Sequence, residues 1–172
     1  MKRIFSPFAF LLAIIFLIPQ EGLTQARPEK NAPVITSAWA RDSGRLGTVL
    51  KLYIEADDPD GDMLRIATVI DGRGHHPTDW TIVKPQNRHH LIGYLQWNTL
   101  SSSEGWISEW TRLTIRVSVF DKSGNESNVV VFPFTFETTG LEPKAPAPFD
   151  KGDIPKIGNV MTEIRGTTDA HP

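Results

Sequence analysis

Apolar and polar residues alternate along most of the chain between positions 33 and 137. Over 48–56, Leu50, Leu52, Ile54 and Ala56 fall on one side of an extended chain, and Lys51, Tyr53 and Glu55 on the other. Successive side chains leave a pleated strand on opposite faces, so a period of two marks a half-buried β-strand. The same alternation predicts a strand over 63–70, with Leu64, Ile66 and Ile70 in phase, and one over 90–97, with Leu91, Gly93, Leu95 and Trp97 in phase. It is clearest over 112–120, where Leu113, Ile115, Val117 and Val119 share a face opposite Arg116 and Ser118. Shorter strands are predicted over 34–40 and 80–83, and a last one over 128–136. Pro133 lies inside that last strand and has no N–H to give a ladder, which places the strand at a sheet edge or at a bulge. No stretch carries a convincing helical period. Seven short strands punctuated by turns predict an all-β fold, an antiparallel immunoglobulin-like β-sandwich of about seven strands, with a closed barrel as the alternative.

The flanks follow other rules. Residues 1–26 open with Lys2 and Arg3 and continue into an unbroken apolar run over 8–18; Pro19 and Gly22 break it, and small residues stand at Thr24 and Ala26. This is the layout of a secretory signal peptide, with cleavage expected after Ala26; an uncleaved N-terminal anchor is the alternative. A short polar linker, 27–32, precedes the patterned domain, 33–137. After Glu137 the composition turns to Pro143, Pro146, Pro148 and Pro155 among Lys, Asp, Gly and Thr, so 138–172 reads as a Pro-rich flexible tail. The expected location is secreted or periplasmic. No second long apolar run occurs, so no membrane span is expected in the mature chain.

Composition narrows the partners. A formal net charge of −2 gives no electrostatic reason to expect nucleic acid. The chain has no cysteine, so an exported domain of this sequence rests on its hydrophobic core alone, or on a core and a metal ion. A patterned region of this length is enough for one such core.

The stretch ADDPDGD at 56–62 holds four aspartates in seven residues. Asp58, Pro59 and Gly61 suit a type I turn: Asp bonds its own backbone, Pro presets φ, and Gly closes. That accounts for one acid of the four. Glu55, Asp57, Asp58, Asp60 and Asp62 repel one another, and a hard cation with oxygen ligands is the usual remedy. The loop is not an EF-hand, since Gly61 is fourth from Asp58 and the twelfth residue is Val69. In a sandwich the turn after the second strand and the one after the sixth share an end. Asp121, with Asn125 in the hairpin at 121–125, is therefore expected beside the acidic turn. Asp58, Asp60, Asp62 and Asp121 are the candidate ligands of a weak Ca²⁺ site; the simpler and preferred alternative is a solvated turn.

Other candidates for chemistry are few. The pairs His75-His76 and His89-His90 do not converge if extended, because neighbours on a strand face opposite ways, so a zinc site is not expected. There is no Cys nucleophile, no Gly-x-Ser-x-Gly elbow and no glycine-rich phosphate loop, and no catalytic residue is assigned. Trp106 and Trp110 fall in the polar stretch SSSEGWISEW and are candidate ligand-binding residues, able to stack on a sugar ring or anchor a protein partner; alternatively the loop folds back and buries them. Asn125-Glu126-Ser127 is a glycosylation sequon if the chain passes through a eukaryotic secretory path.

Two stretches carry a family resemblance. YIEADDPDGDMLRIATVIDG at 53–72 and LTIRVSVFDKSGNESN at 113–128 resemble bacterial immunoglobulin-like domains of the cadherin-like and fibronectin type III-like kind. The resemblance covers residues 33–137. It implies a bacterial stalk, adhesion or accessory domain rather than an enzyme. The expected function is a non-catalytic binding or spacer module of the cell envelope or extracellular space. The alternative is a carbohydrate-binding accessory domain using Trp106 and Trp110. Whether the partner is protein or glycan, and the oligomeric state, stay open.

Overall fold

The computed structural model describes residues 31–72, 77–99, 111–137 and 143–161. These form nine strands: β1 (Val34–Trp39), β2 (Ser43–Gly44), β3 (Val49–Asp57), β4 (Met63–Asp71), β5 (Asp79–Ile82), β6 (His90–Asn98), β7 (Arg112–Asp121), β8 (Val130–Phe136) and β9 (Lys156–Val160). One 3₁₀ turn, Pro85–Asn87, joins β5 to β6, and no α-helix occurs among the described residues. No helix among those residues is long and apolar enough to cross a membrane.

The strands form a four-stranded sheet, ordered β1-β3-β6-β9, and a five-stranded sheet, ordered β2-β8-β7-β4-β5. Both sheets are mixed, which departs from the purely antiparallel expectation: β9 runs parallel to β6, and β2 parallel to β8. The seven strands expected from alternation are all present. In β3 and β7 the face offered to the core follows the alternation: Leu50, Leu52, Ile54 and Ala56 of β3 are fully buried, as are Ile115, Val117 and Val119 of β7. They share one cluster with Leu91, Leu95 and Trp97 of β6 and with Phe132, Phe134 and Phe136 of β8, so the inner faces of both sheets meet in one core. Trp97 meets Phe134 edge-on at 6.3 Å between ring centroids, and Phe134 meets Phe136 at 5.2 Å. Each large side chain so buried contributes about 1.5–3 kcal/mol, which is how the chain holds without a disulfide.

Two bulges alter the simple alternation. Between Met63 and Arg65 the register of β4 against β7 shifts. Met63 and Ile66 are therefore both buried, and Leu64, expected in phase with Ile66, is only half-buried. A second shift lies between Ile35 and Ser37 in β1. It reverses the parity of that strand, so Ile35 and Ala40 both meet the core while Trp39 stacks on the outer face. The side-chain amide of Asn128 spans this place: its Oδ1 accepts from Ile35 N at 2.8 Å and its Nδ2 donates to Ile35 O at 3.1 Å.

Part of the segment that composition assigns to a flexible tail is structured. Residues 156–160 are β9, and Phe149 and Val160 are buried. The backbone explains the docking. Gly93 occupies an inward position of β6, where a Cβ would collide with Cγ2 of Ile157 and press on Pro155 O. The missing side chain leaves a slot that Ile157 enters, and Tyr94 N donates to Pro155 O at 3.0 Å. Gly158 likewise lets β9 pass close to Thr81 of β5, so these two edge strands close one side of the two-layer fold. Met161 N donates to a carboxylate oxygen of Asp79 at the same seam. Pro133 lies where it was expected: β8 is an edge except for its last two residues, which β2 covers.

Candidate functional site

Two places on this frame gather charged and aromatic side chains. The first is the acidic rim. Asp58 follows the last residue of β3 and is almost wholly buried; its Oδ1 accepts from Asp60 N at 3.0 Å and its Oδ2 from Asp62 N at 3.2 Å. Gly61 N returns to Asp58 O at 3.2 Å, and Gly61 takes φ of 70°, a conformation a Cβ would strain. The neighbouring hairpin repeats the device. Asp121 is buried, with Oδ1 accepting from Asn125 N and Oδ2 from Asn125 Nδ2, both at 2.8 Å.

Met63 and Asp121 are register partners, so the two turns lie side by side, as the topology argument requires. The consequence is electrostatic. The carboxyl of Asp62 is held above the ordinary aspartate value, first by burial and then by the charges of Asp121 and Asp58, with Lys122 opposing. Asp60 is turned to another partner and accepts from Asn31 Nδ2 at 2.9 Å. The structure thus brings Asp58, Asp62 and Asp121 together and spends the oxygens of Asp58 and Asp121 on turn N–H and amide donors. Among the described residues no group of three or more His, Cys, Asp or Glu side chains is arranged to hold a metal ion. Of the histidines, His90 sits at the edge of this region with Nδ1 2.7 Å from Asp57 Oδ1 and Nε2 3.8 Å from Glu55 Oε1. Trp106, Trp110, His75 and His76 lie outside the described residues.

The second place is the outer face of the four-stranded sheet, which the sequence pattern did not single out. Trp39, Tyr53 and Tyr94 are register partners across β1, β3 and β6 and form one transverse row. Tyr53 is its centre: ring centroids lie 5.7 Å from Trp39, 5.5 Å from Tyr94 and 5.4 Å from Phe149. All three rings of the row are half-buried, so each keeps part of a face in solvent. The segment leading to β9 rises beside them. Phe149 is buried against Tyr53 and holds that segment as a wall.

Between row and wall lies a groove of about 660 Å³, within the usual range of about 300–1,000 Å³ for small-molecule sites. Arg41, Lys51, Lys144 and Lys151 line it against one carboxylate, Asp150. The ammonium of Lys51 lies 4.7 Å from the centroid of the Tyr94 ring. Further along the same strands Glu55 and Asp57 stand beside His90, so the outer face runs from cationic to anionic. Period-two counting does mark Tyr53 and Tyr94 as outward. It cannot bring Trp39 to them, because the β1 bulge changes the parity between Ile35 and Trp39.

No protein-family model, no curated protein and no solved structure matches this chain.

Proposed function

We propose that this chain is an exported, non-catalytic binding module of the cell envelope or extracellular space, and that it binds carbohydrate in the groove over Trp39, Tyr53 and Tyr94. The transverse aromatic row is the observation that carries this. Three rings at strand spacing, tilted 47° and 52° to one another and partly open to solvent, offer apolar faces on which sugar rings stack through their C–H faces. Polar side chains around the strip supply hydrogen bonds that fix orientation. Export is supported by the layout of residues 1–26. Trp106 and Trp110, the sugar-stacking candidates of the sequence, lie outside the described residues, and the reading rests on Trp39, Tyr53 and Tyr94.

The test is a glycan titration followed by intrinsic fluorescence, in the full chain and in Tyr53→Ala. Binding that changes the emission and is lost in the variant is the expected result. An unchanged spectrum across a broad panel of oligosaccharides would leave the chain a spacer.

The acidic rim supports a smaller, separate role. Asp62 is an aspartate that its surroundings disfavour as an anion. A Ca²⁺ ion there would relieve Asp58, Asp62 and Asp121 and reinforce the fold without taking part in glycan binding. At ten-fold saturation such a site adds only about 1.4 kcal/mol.

A further inference from the structure

From the charge around the groove we infer that the saccharide it selects is acidic, bearing carboxylate or sulfate groups. This rests on the carbohydrate reading above and narrows it. The chain as a whole carries a net charge of −2, yet the groove lining sets Arg41, Lys51, Lys144 and Lys151 against Asp150 alone. A cationic concavity on an anionic protein is a local design for an anion, because charge lining a cleft concentrates ligands of opposite sign.

The placement agrees with the shape. Lys51 precedes Tyr53 by one side-chain repeat on the same face of β3, and it stands over Tyr94. Lys144 and Lys151 come from the opposite wall. A sugar stacked on the row therefore has cations on both flanks, where substituents in the plane of its ring project. Charge-assisted hydrogen bonds from these side chains to carboxylate or sulfate oxygens are roughly twice as strong as neutral ones. The far end of the same face, with Glu55 and Asp57, repels such a ligand and sets its position along the strands.

The favoured occupant is a saccharide rather than an acidic peptide or an anionic lipid surface. The tilted rings of the row lie inside a walled groove, which admits a sugar ring against one aromatic face and excludes a bilayer.

The experiment is a panel of immobilised neutral, uronic-acid, sialylated and sulfated oligosaccharides, probed with the full chain, with anionic vesicles and a polyglutamate peptide alongside. Acidic glycans are expected to bind about tenfold tighter than neutral ones of the same backbone, a difference that shrinks as salt is raised. The double variant Lys51→Gln/Lys144→Gln is expected to weaken acidic glycans far more than neutral ones, so that the preference for acid disappears, and Tyr53→Ala to remove binding of both. Equal binding of acidic and neutral forms, or preference for neutral ones, overturns the acidic assignment and leaves the carbohydrate reading in place. Binding to vesicles or peptide with no glycan bound overturns both, as does binding to nothing on the panel. Tyr53→Ala is checked by circular dichroism; if it is misfolded, Tyr94→Leu, which keeps an apolar residue on the row, takes its place with the same expectation.

Discussion

The acidic rim and the aromatic groove use charged and aromatic side chains in opposite ways. At the rim the carboxylates of Asp58 and Asp121 are buried and turned inward onto backbone and amide donors. In the groove the cations stand around a partly open aromatic strip. The rim shows that a cluster of like charges in a sequence can be a folding device, since a buried acid that caps its own turn accepts from N–H donors that would otherwise go unmet. The groove shows that an aromatic surface can be assembled from residues that look unremarkable one strand at a time.

The comparison breaks most sharply at Asp58. Asp58→Ala removes two acceptors from turn N–H groups and is expected to cost about 2–3 kcal/mol in chemical denaturation while leaving glycan affinity unchanged. A variant of ordinary stability would show that the turn does not depend on this carboxylate. Gly93→Ala couples the two regions of behaviour. Its Cβ displaces Ile157 and the wall that β9 anchors, so stability is expected to fall by about 1–3 kcal/mol together with glycan affinity. Loss of stability with full affinity would separate β9 from the groove.

Tyr53→Ala should do the reverse of Asp58→Ala. Three ring contacts disappear, at about 1–2 kcal/mol for a half-buried place, while binding is lost altogether in the glycan titration. Calcium sharpens the rim alone: the melting temperature is expected to rise with added Ca²⁺ and return with a chelator, within about 1.4 kcal/mol, and a flat response would remove the ion from the proposal.

The smallest effect is at Asp62. Its carboxyl is raised in the folded chain, so the folded state holds that proton more tightly than the unfolded state does. Stability from this group is therefore full below the ordinary aspartate value and is lost as pH rises through the raised folded value. Asp62→Asn should melt slightly higher than the parent at neutral pH, and the two should converge in acid. A gap of constant size across that range would assign the effect to something other than ionisation.

Much of this architecture was legible from residues alone, and the failures have physical causes. Most of the expected strands could be read because each presents one greasy face to a shared core, as β3 and β7 do most plainly. β2 escaped because two residues, Ser43 and Gly44, cannot display a period. β9 escaped because its docking depends on what is missing from a neighbour: the slot at Gly93 is invisible from the segment that fills it. The meeting of Asp121 with the acidic turn was legible because it follows from strand order. The row of Trp39, Tyr53 and Tyr94 was not, because it depends on cross-strand register and on one bulge.

The placement of the outermost strands has a mechanical corollary. β1 starts with Val34 opposite Asp57, at the pole of the acidic turn, whereas β9 finishes with Val160 opposite Trp97, which itself faces Leu50 near the start of β3. The polypeptide thus enters at one pole and departs from the other. Tension between its two flanks runs along the strands and loads the β1–β3 and β6–β9 ladders in shear, so that many hydrogen bonds must yield together rather than one after another.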